Sequence, residues 1–237
     1  MLKFYRKKEP GLMAGQKGIC YIVGAMPLDE GFSFRPGPQD LVIAADGGFA
    51  SLRALGVNAD VVVGDFDSLD EIPDHPNLLR LPRIKDETDM GYAINHALKL
   101  GYTRFLLLGG MGGRLEHTIA NLQLLAGLNR QGALGILYGG GQAACAITNG
   151  TLRFPPSLSG YCSVFCQSGT AQGVTIEGMK YPLFEDELTG DFPLGVSNEF
   201  LGLPATVSVA EGTLLLIWAC EAGENQLQSV LLSNDIT

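Results

Sequence analysis

The chain has 237 residues, of which 46% are hydrophobic and 17% charged, and it carries a net charge of -9. This composition excludes a disordered polymer, and the length suits one or two domains with cores of their own. Residues 1–17 hold Lys3, Arg6, Lys7, Lys8 and Lys17 against Glu9 alone, so 11 basic and 24 acidic side chains remain for the rest. Such a body repels nucleic acid.

Residues 1–16 read as a loose tail, with Met13 as an alternative start. The basic beginning is not followed by the apolar run of a signal peptide, and no stretch reaches the 18 or so apolar residues that span a bilayer. Five cysteines at no metal-ligand spacing, with only three histidines, argue against zinc. We therefore expect a cytoplasmic chain with reduced thiols and no membrane partner.

Apolar runs of strand length then alternate with helical patterns. Residues 19–24 form the first run, and residues 41–45 the second, leading into AADGG (44–48). Residues 47–55 predict a short helix that Gly56 ends. Residues 60–64 lead into GDFDSL (64–69), and KDETD (85–89) precedes a helix over residues 88–100. In that helix Met90, Ile94, Ala97 and Leu98 make an apolar stripe. Residues 104–108 enter GGMGGRLEH (109–117), which opens a helix whose expected stripe is Leu115, Ile119, Leu122 and Ala126. Residues 134–138 form a further strand. Near-continuous apolar strands separated by helices predict an α/β unit with a mostly parallel, Rossmann-like sheet.

The rhythm changes after residue 139. Residues 162–166, 173–177, 205–209 and 213–219 are strand-like, with turn residues between them and no long helical stripe. This half reads as an all-β sandwich. The expected domains are residues 17–145 (α/β) and 146–237 (sandwich).

Asp46, Asp65, Asp67, Asp86 and Asp89 all follow strand ends or precede a helix. Two bare carboxylates about 4 Å apart repel by about 4 kcal/mol at an effective dielectric near 20. A convergent set therefore calls for a cation, and beside a glycine loop that favours anions it points to nucleotide chemistry. A single aspartate in such a turn equally serves an Asx-turn or a helix cap. For Asp46, Asp65 and Asp67 together the metal reading is the stronger. If strand geometry continues through Phe66, Asp65 and Asp67 face the same side. Asp86 reads as an N-cap, and Asp89 as a first-turn residue or a metal ligand. Arg114 suits a phosphate. The loop is neither a Walker motif nor a dinucleotide fingerprint.

The order ADGG, GDFDS, DxTD, GGxGGRxxH resembles the thiamine pyrophosphokinases. GMKYPL (178–183) and GVSNEF (195–200) extend the likeness, which spans about residues 18–219. The resemblance implies transfer of a pyrophosphoryl group from ATP to the hydroxyl of thiamine, releasing AMP. It also implies a homodimer with active sites at the subunit interface. By the same likeness Asp65, Asp67 and Asp89 would hold Mg²⁺, and Asp46 and Arg114 would complete the catalytic set. ATP contacts fall on Gly47, Gly48, Ser68, Thr88, Gly110, Gly112, Gly113 and Arg114, and thiamine contacts on Ser197 and Asn198. Trp218 reads equally as a ring for thiamine or as core. The chain departs from many bacterial members at Glu116, where they carry aspartate. Rival readings are a thiamine or nucleotide sensor disabled at Glu116, and a nucleotide-sugar transferase built on the acid-x-acid pattern of Asp65 and Asp67.

Overall fold

The computed structural model describes residues 17–66, 73–82, 86–221 and 223–234. Its first half follows the apolar runs closely. The elements are β1 (Ile19–Val23), β2 (Leu41–Ala45), α1 (Gly48–Leu55), β3 (Val61–Gly64), β4 (Leu78–Arg80), α2 (Asp89–Lys99), β5 (Arg104–Leu108), α3 (Leu115–Arg130) and β6 (Leu134–Gly139). The β-rich half contains β7 (Gln142–Thr148), β8 (Thr151–Phe154), β9 (Tyr161–Cys166), β10 (Thr170–Glu177), β11 (Leu183–Thr189), β12 (Gly195–Glu199), β13 (Ala205–Ser208) and β14 (Thr213–Ala219). A closing helix, α4 (Glu224–Leu232), follows them.

Among the described residues these strands form two sheets. The larger runs β12-β9-β14-β7-β6-β5-β1-β2-β3-β4, and the smaller β11-β10-β13-β8. From β6 to β4 the pairs are parallel, and from β6 outward to β12 they are antiparallel. The large sheet is therefore mixed, and it runs unbroken from the α/β half into the β-rich half. Residue 145, where the sequence suggested a boundary, lies inside β7.

Period-two alternation on buried strands sorts the core into two layers. Ile22, Ile43, Val63, Leu107 and Leu137 face α2 and α3. Tyr21, Val42, Leu106 and Ile136 face the opposite way, toward α1 and α4. That second layer continues between the two sheets, where Cys162, Val164, Leu216 and Trp218 meet Phe154, Val174 and Val207. The contact makes the β-rich half a two-layer stack.

Two helical expectations are corrected. In α3 the buried residues are Asn121, Leu125, Ala126 and Leu128, whereas Leu115 and Ile119 are exposed. Of the expected stripe only Leu122 and Ala126 pack into the core, so the buried face lies in the later turns of the helix. The sequence also gave no signal for α4. It is short, and its burial comes from Leu227, Val230 and Leu231 settling on β5 and β6. Asn234 closes that end, accepting from the Arg153 amide at 2.7 Å and donating to its carbonyl at 2.9 Å. No helix of the described residues is long and apolar enough to cross a membrane.

Candidate active site

The strand order creates a crevice. The chain moves outward from β1 through β4, then returns to lay β5 on the other side of β1. The carboxyl ends of β1 and β5 are therefore a switch point in strand order, and in open sheets ligands bind there. A cavity of about 230 Å³ lies here, lined by residues from four segments: after β1 (Met26), after β2 (Asp46), the start of α2 (Thr88, Asp89) and after β5 (Gly110, Arg114).

Backbone packing shapes its floor. The Gly24 amide donates to the Leu108 carbonyl at 2.8 Å, and the Met26 amide to the Gly109 carbonyl at 3.0 Å. A Cβ on Gly24 would lie 2.7 Å from the Gly109 carbonyl oxygen, so this crossing admits only glycine. Asp46 leaves β2 in the left-handed region at φ 50°, its amide donating to Val63 at 2.7 Å. The N-cap of α1 is Gly47, which offers no side-chain cap, and Asp46 lines the cavity one residue earlier.

The structure brings Asp46, Asp89, Thr88, Gly110, Gly112 and Arg114 to one cavity, with His117 beside them. Asp65 is half-buried just beyond β3; it does not line the cavity, although its neighbour Gly64 abuts the Asp46 backbone. Asp67 and Ser68 lie outside the described residues. Phe66 is left-handed at φ 58°, so the strand ends at Gly64 and the condition for Asp65 and Asp67 sharing a face is not met. Gly47 caps α1 and Gly48 begins it, just after Asp46, and Gly113 lies against the Met26 side chain; none of the three lines the cavity.

Thr88, not Asp86, is the N-cap of α2, accepting from the Gly91 amide at 3.1 Å. That places Asp89 in the first turn, where the helix dipole favours its charge. Arg114 donates through Nε to Glu116 at 2.6 Å, and both side chains are mostly solvent-exposed. The Glu116 carboxyl is held below its ordinary range by a hydrogen bond from its own backbone amide and by the Arg114 guanidinium.

Carboxylates are hard oxygen donors of the kind Mg²⁺ selects, and Asp46 and Asp89 present them to one cavity beside a glycine loop. Among the described residues no group of three His, Cys, Asp or Glu side chains is close enough to hold a metal.

The three thiamine candidates lie elsewhere. Ser197 is exposed on β12 at φ 60°, within an irregularity of its pairing with β9. Asn198 is buried, and its amide clamps the Tyr181 backbone: Oδ1 accepts from the amide at 2.9 Å and Nδ2 donates to the carbonyl at 2.7 Å. Trp218 is 1% exposed and stacks edge-on with Phe154 at 5.4 Å, a core position. None of them lines the cavity.

Sequence reasoning missed Gly24, Ala25, Met26, Met90 and Asn121 as lining residues. Asn121 falls off the expected apolar stripe of α3, so no periodicity pointed to it.

Residues 38–134 match a family model described as thiamin pyrophosphokinase, catalytic domain, and residues 150–214 match thiamin pyrophosphokinase, vitamin B1 binding domain. The chain is 29% identical over 196 residues to the thiamine pyrophosphokinase of Bacillus subtilis, covering 75% of this chain and 86% of that protein. It superposes on the crystal structure of thiamine pyrophosphokinase from Bacillus subtilis with a TM-score of 0.76, at 23% identity, over 86% of this chain and 100% of the other. For thiamin pyrophosphokinase from Geobacillus thermodenitrificans the TM-score is 0.74 at 27% identity, over 86% and 99%.

Proposed function

Because this chain belongs to the thiamin pyrophosphokinase family, we propose that it transfers the pyrophosphoryl group of ATP to the hydroxyl of thiamine, giving thiamine diphosphate and AMP. The observation that carries the reading is the convergence of Asp46, Asp89, Arg114 and the glycine loop on one cavity at the switch point. This is the place where a polyphosphate would bind, with two carboxylates, an arginine and backbone amides to receive it and its cation. In this reading the α/β half is Rossmann-like, its parallel strands running 4-3-2-1-5-6.

Asp65, Asp67 and Asp89 would hold Mg²⁺, which, when bound, neutralises charge on the oxygens of the transferred group. Arg114 and backbone amides of the glycine loop bind the polyphosphate and fix its orientation. Asp46, held by its strained backbone at the end of β2, orients the acceptor or its metal. The attack falls on the β-phosphorus, so the bond that breaks joins it to the α–β bridging oxygen, which leaves with AMP.

A second copy of the chain completes this site. The residues that would meet thiamine lie away from the cavity, and Tyr181, Phe184, Phe192 and Leu194 expose apolar surface near them in sequence. The homodimer would bring Ser197 of one subunit to the cavity of the other. The five free thiols fit a reducing, cytoplasmic setting.

Product analysis after incubation with ATP, thiamine and Mg²⁺ tests the assignment. AMP and thiamine diphosphate are expected, and Asp65→Asn or Asp67→Asn abolishes both while the fold persists. ADP as the nucleotide product would exclude it. Ligand binding without turnover would favour the sensor reading.

A further inference from the structure

The glycine loop between β5 and α3 has little of its own to hold it in shape. Gly109, Gly112 and Gly113 all have positive φ, at 61°, 90° and 62°. A segment with three such residues samples many conformations unless its surroundings choose one. Arg114, at the N-cap of α3, makes no side-chain cap.

Two side chains of α3 supply the missing restraint. Nδ2 of Asn121 donates to the Gly110 carbonyl at 2.6 Å, and this asparagine is only 7% exposed. Oγ1 of Thr118 accepts from the Gly112 amide at 3.1 Å, and its proton is directed to the Gly112 carbonyl at 3.4 Å. Three positions apart on a helix, Thr118 and Asn121 stand on neighbouring turns of one face. They grip the loop on either side of Met111.

Apart from the Met26 amide, which fixes the Gly109 carbonyl at 3.0 Å, the remaining walls are apolar. The Met26 side chain packs where a Cβ on Gly113 would lie, and Met111 rests against Gly139 at the end of β6. Neither contact sets the direction of a peptide plane, whereas a hydrogen bond does. A cavity residue such as Asn121, buried among the core positions of α3, has no packing reason to be polar.

We propose that Asn121 and Thr118 are positioning residues that hold the glycine loop in the shape that receives the polyphosphate. They act through the peptide planes of Gly110 and Gly112, without chemistry of their own. This deepens the proposed pyrophosphoryl transfer and rests on it. With the Gly112 amide turned toward Thr118, the rest of the loop and Arg114 are left to meet the anion.

The test combines turnover with hydrogen exchange on the full chain. Thr118→Val, which keeps the shape and loses the hydroxyl, lowers kcat/KM for ATP on the order of ten- to a hundredfold, and Thr118→Ser recovers most of the loss. Asn121→Asp places an acceptor against the Gly110 carbonyl. Its activity relative to the parent chain rises as the pH is lowered from about 8 to about 6, because the protonated carboxyl donates again. Amide exchange over residues 109–114 quickens in Thr118→Val and in Asn121→Asp at high pH, while the β-rich half is unchanged. Parent-like turnover and exchange in both variants would overturn the proposal, as would loss of turnover in Thr118→Ser equal to that in Thr118→Val. If the parent chain forms no AMP, the pyrophosphokinase assignment fails, and exchange alone still decides whether the two side chains set the loop.

Discussion

The hydroxyl of Tyr21 donates to Oε1 of Glu224 at 2.6 Å, joining the central strand β1 to the last helix across 203 positions. Gln228 adds donors to both partners, at 2.8 Å to the hydroxyl and 2.7 Å to the carboxylate. Burial, together with the hydrogen bond to Glu224, pushes ionisation of the Tyr21 phenol far above its ordinary range. The neutral donor is therefore the working form. Tyr21→Phe leaves Glu224 with Gln228 and the Arg35 amide, and should cost about 1–2 kcal/mol. Leu231→Ala, which empties part of the α4 contact, should cost about 2–5 kcal/mol. Urea unfolding measures both.

Two glycines should respond in opposite senses. A Cβ on Gly48 would stand 1.8 Å from the Val23 carbonyl oxygen, where α1 presses on β1, and nothing in that backbone can retreat. Gly48→Ala is expected to destabilise the chain by about 4 kcal/mol or more. Gly127 lies within α3 with open space around it, and Gly127→Ala should stabilise by about 0.5–1 kcal/mol. Thermal denaturation of the pair checks the sign of each.

Asp46 combines a charge with a left-handed backbone. Asn tolerates that conformation, so Asp46→Asn should keep the parent stability while AMP formation falls on the order of a hundredfold. Asp46→Val should lose activity and also about 1–2 kcal/mol of stability. Equal stability losses in the two variants would show that backbone strain is not what separates them.

Glu116 accepts from Arg114 at 2.6 Å, so on the proposed role of Arg114 it would compete with the polyphosphate for the guanidinium. Glu116→Gln releases the guanidinium, and the KM for ATP should fall severalfold at low salt with kcat preserved. Added salt should narrow the difference, because an exposed pair is screened. The melting temperature should stay where it was.

Alkaline pH should weaken the fold through its buried thiols. Burial pushes the Cys162 thiol from 9.0 up to about 12. Between those values the unfolded chain releases a proton that the folded chain retains. Stability is therefore intact below about pH 9 and declines as pH rises toward 12, by up to about 1.4 kcal/mol per unit from this thiol. Cys20 and Cys145, both buried, act in the same direction. Comparing denaturant midpoints at about pH 8 and pH 10.5 for the parent and Cys162→Ala should show a shallower loss in the variant.

The parallel strands and their helices were legible in the chain because burial on both faces leaves continuous apolar runs, as in residues 41–45 and 104–108. The acidic and glycine motifs were legible for a related reason: a ligand at strand ends needs particular residues at fixed distances from each strand. Local pattern thus indicated the alternation of strands and helices in the first half and singled out Asp46, Asp89, Arg114 and the glycine loop, which line the cavity.

Tertiary packing decided the rest. Whether Trp218 meets core or solvent depends on strand pairing across the sandwich, and the partner sheet supplied Phe154. The exposed face of α3, the last helix and the grip of Asn121 on Gly110 depend on contacts whose partners are far away in the sequence or out of phase with any repeat. A hydrogen bond to a backbone carbonyl leaves no periodicity behind, so only the folded chain reveals which polar residue makes it.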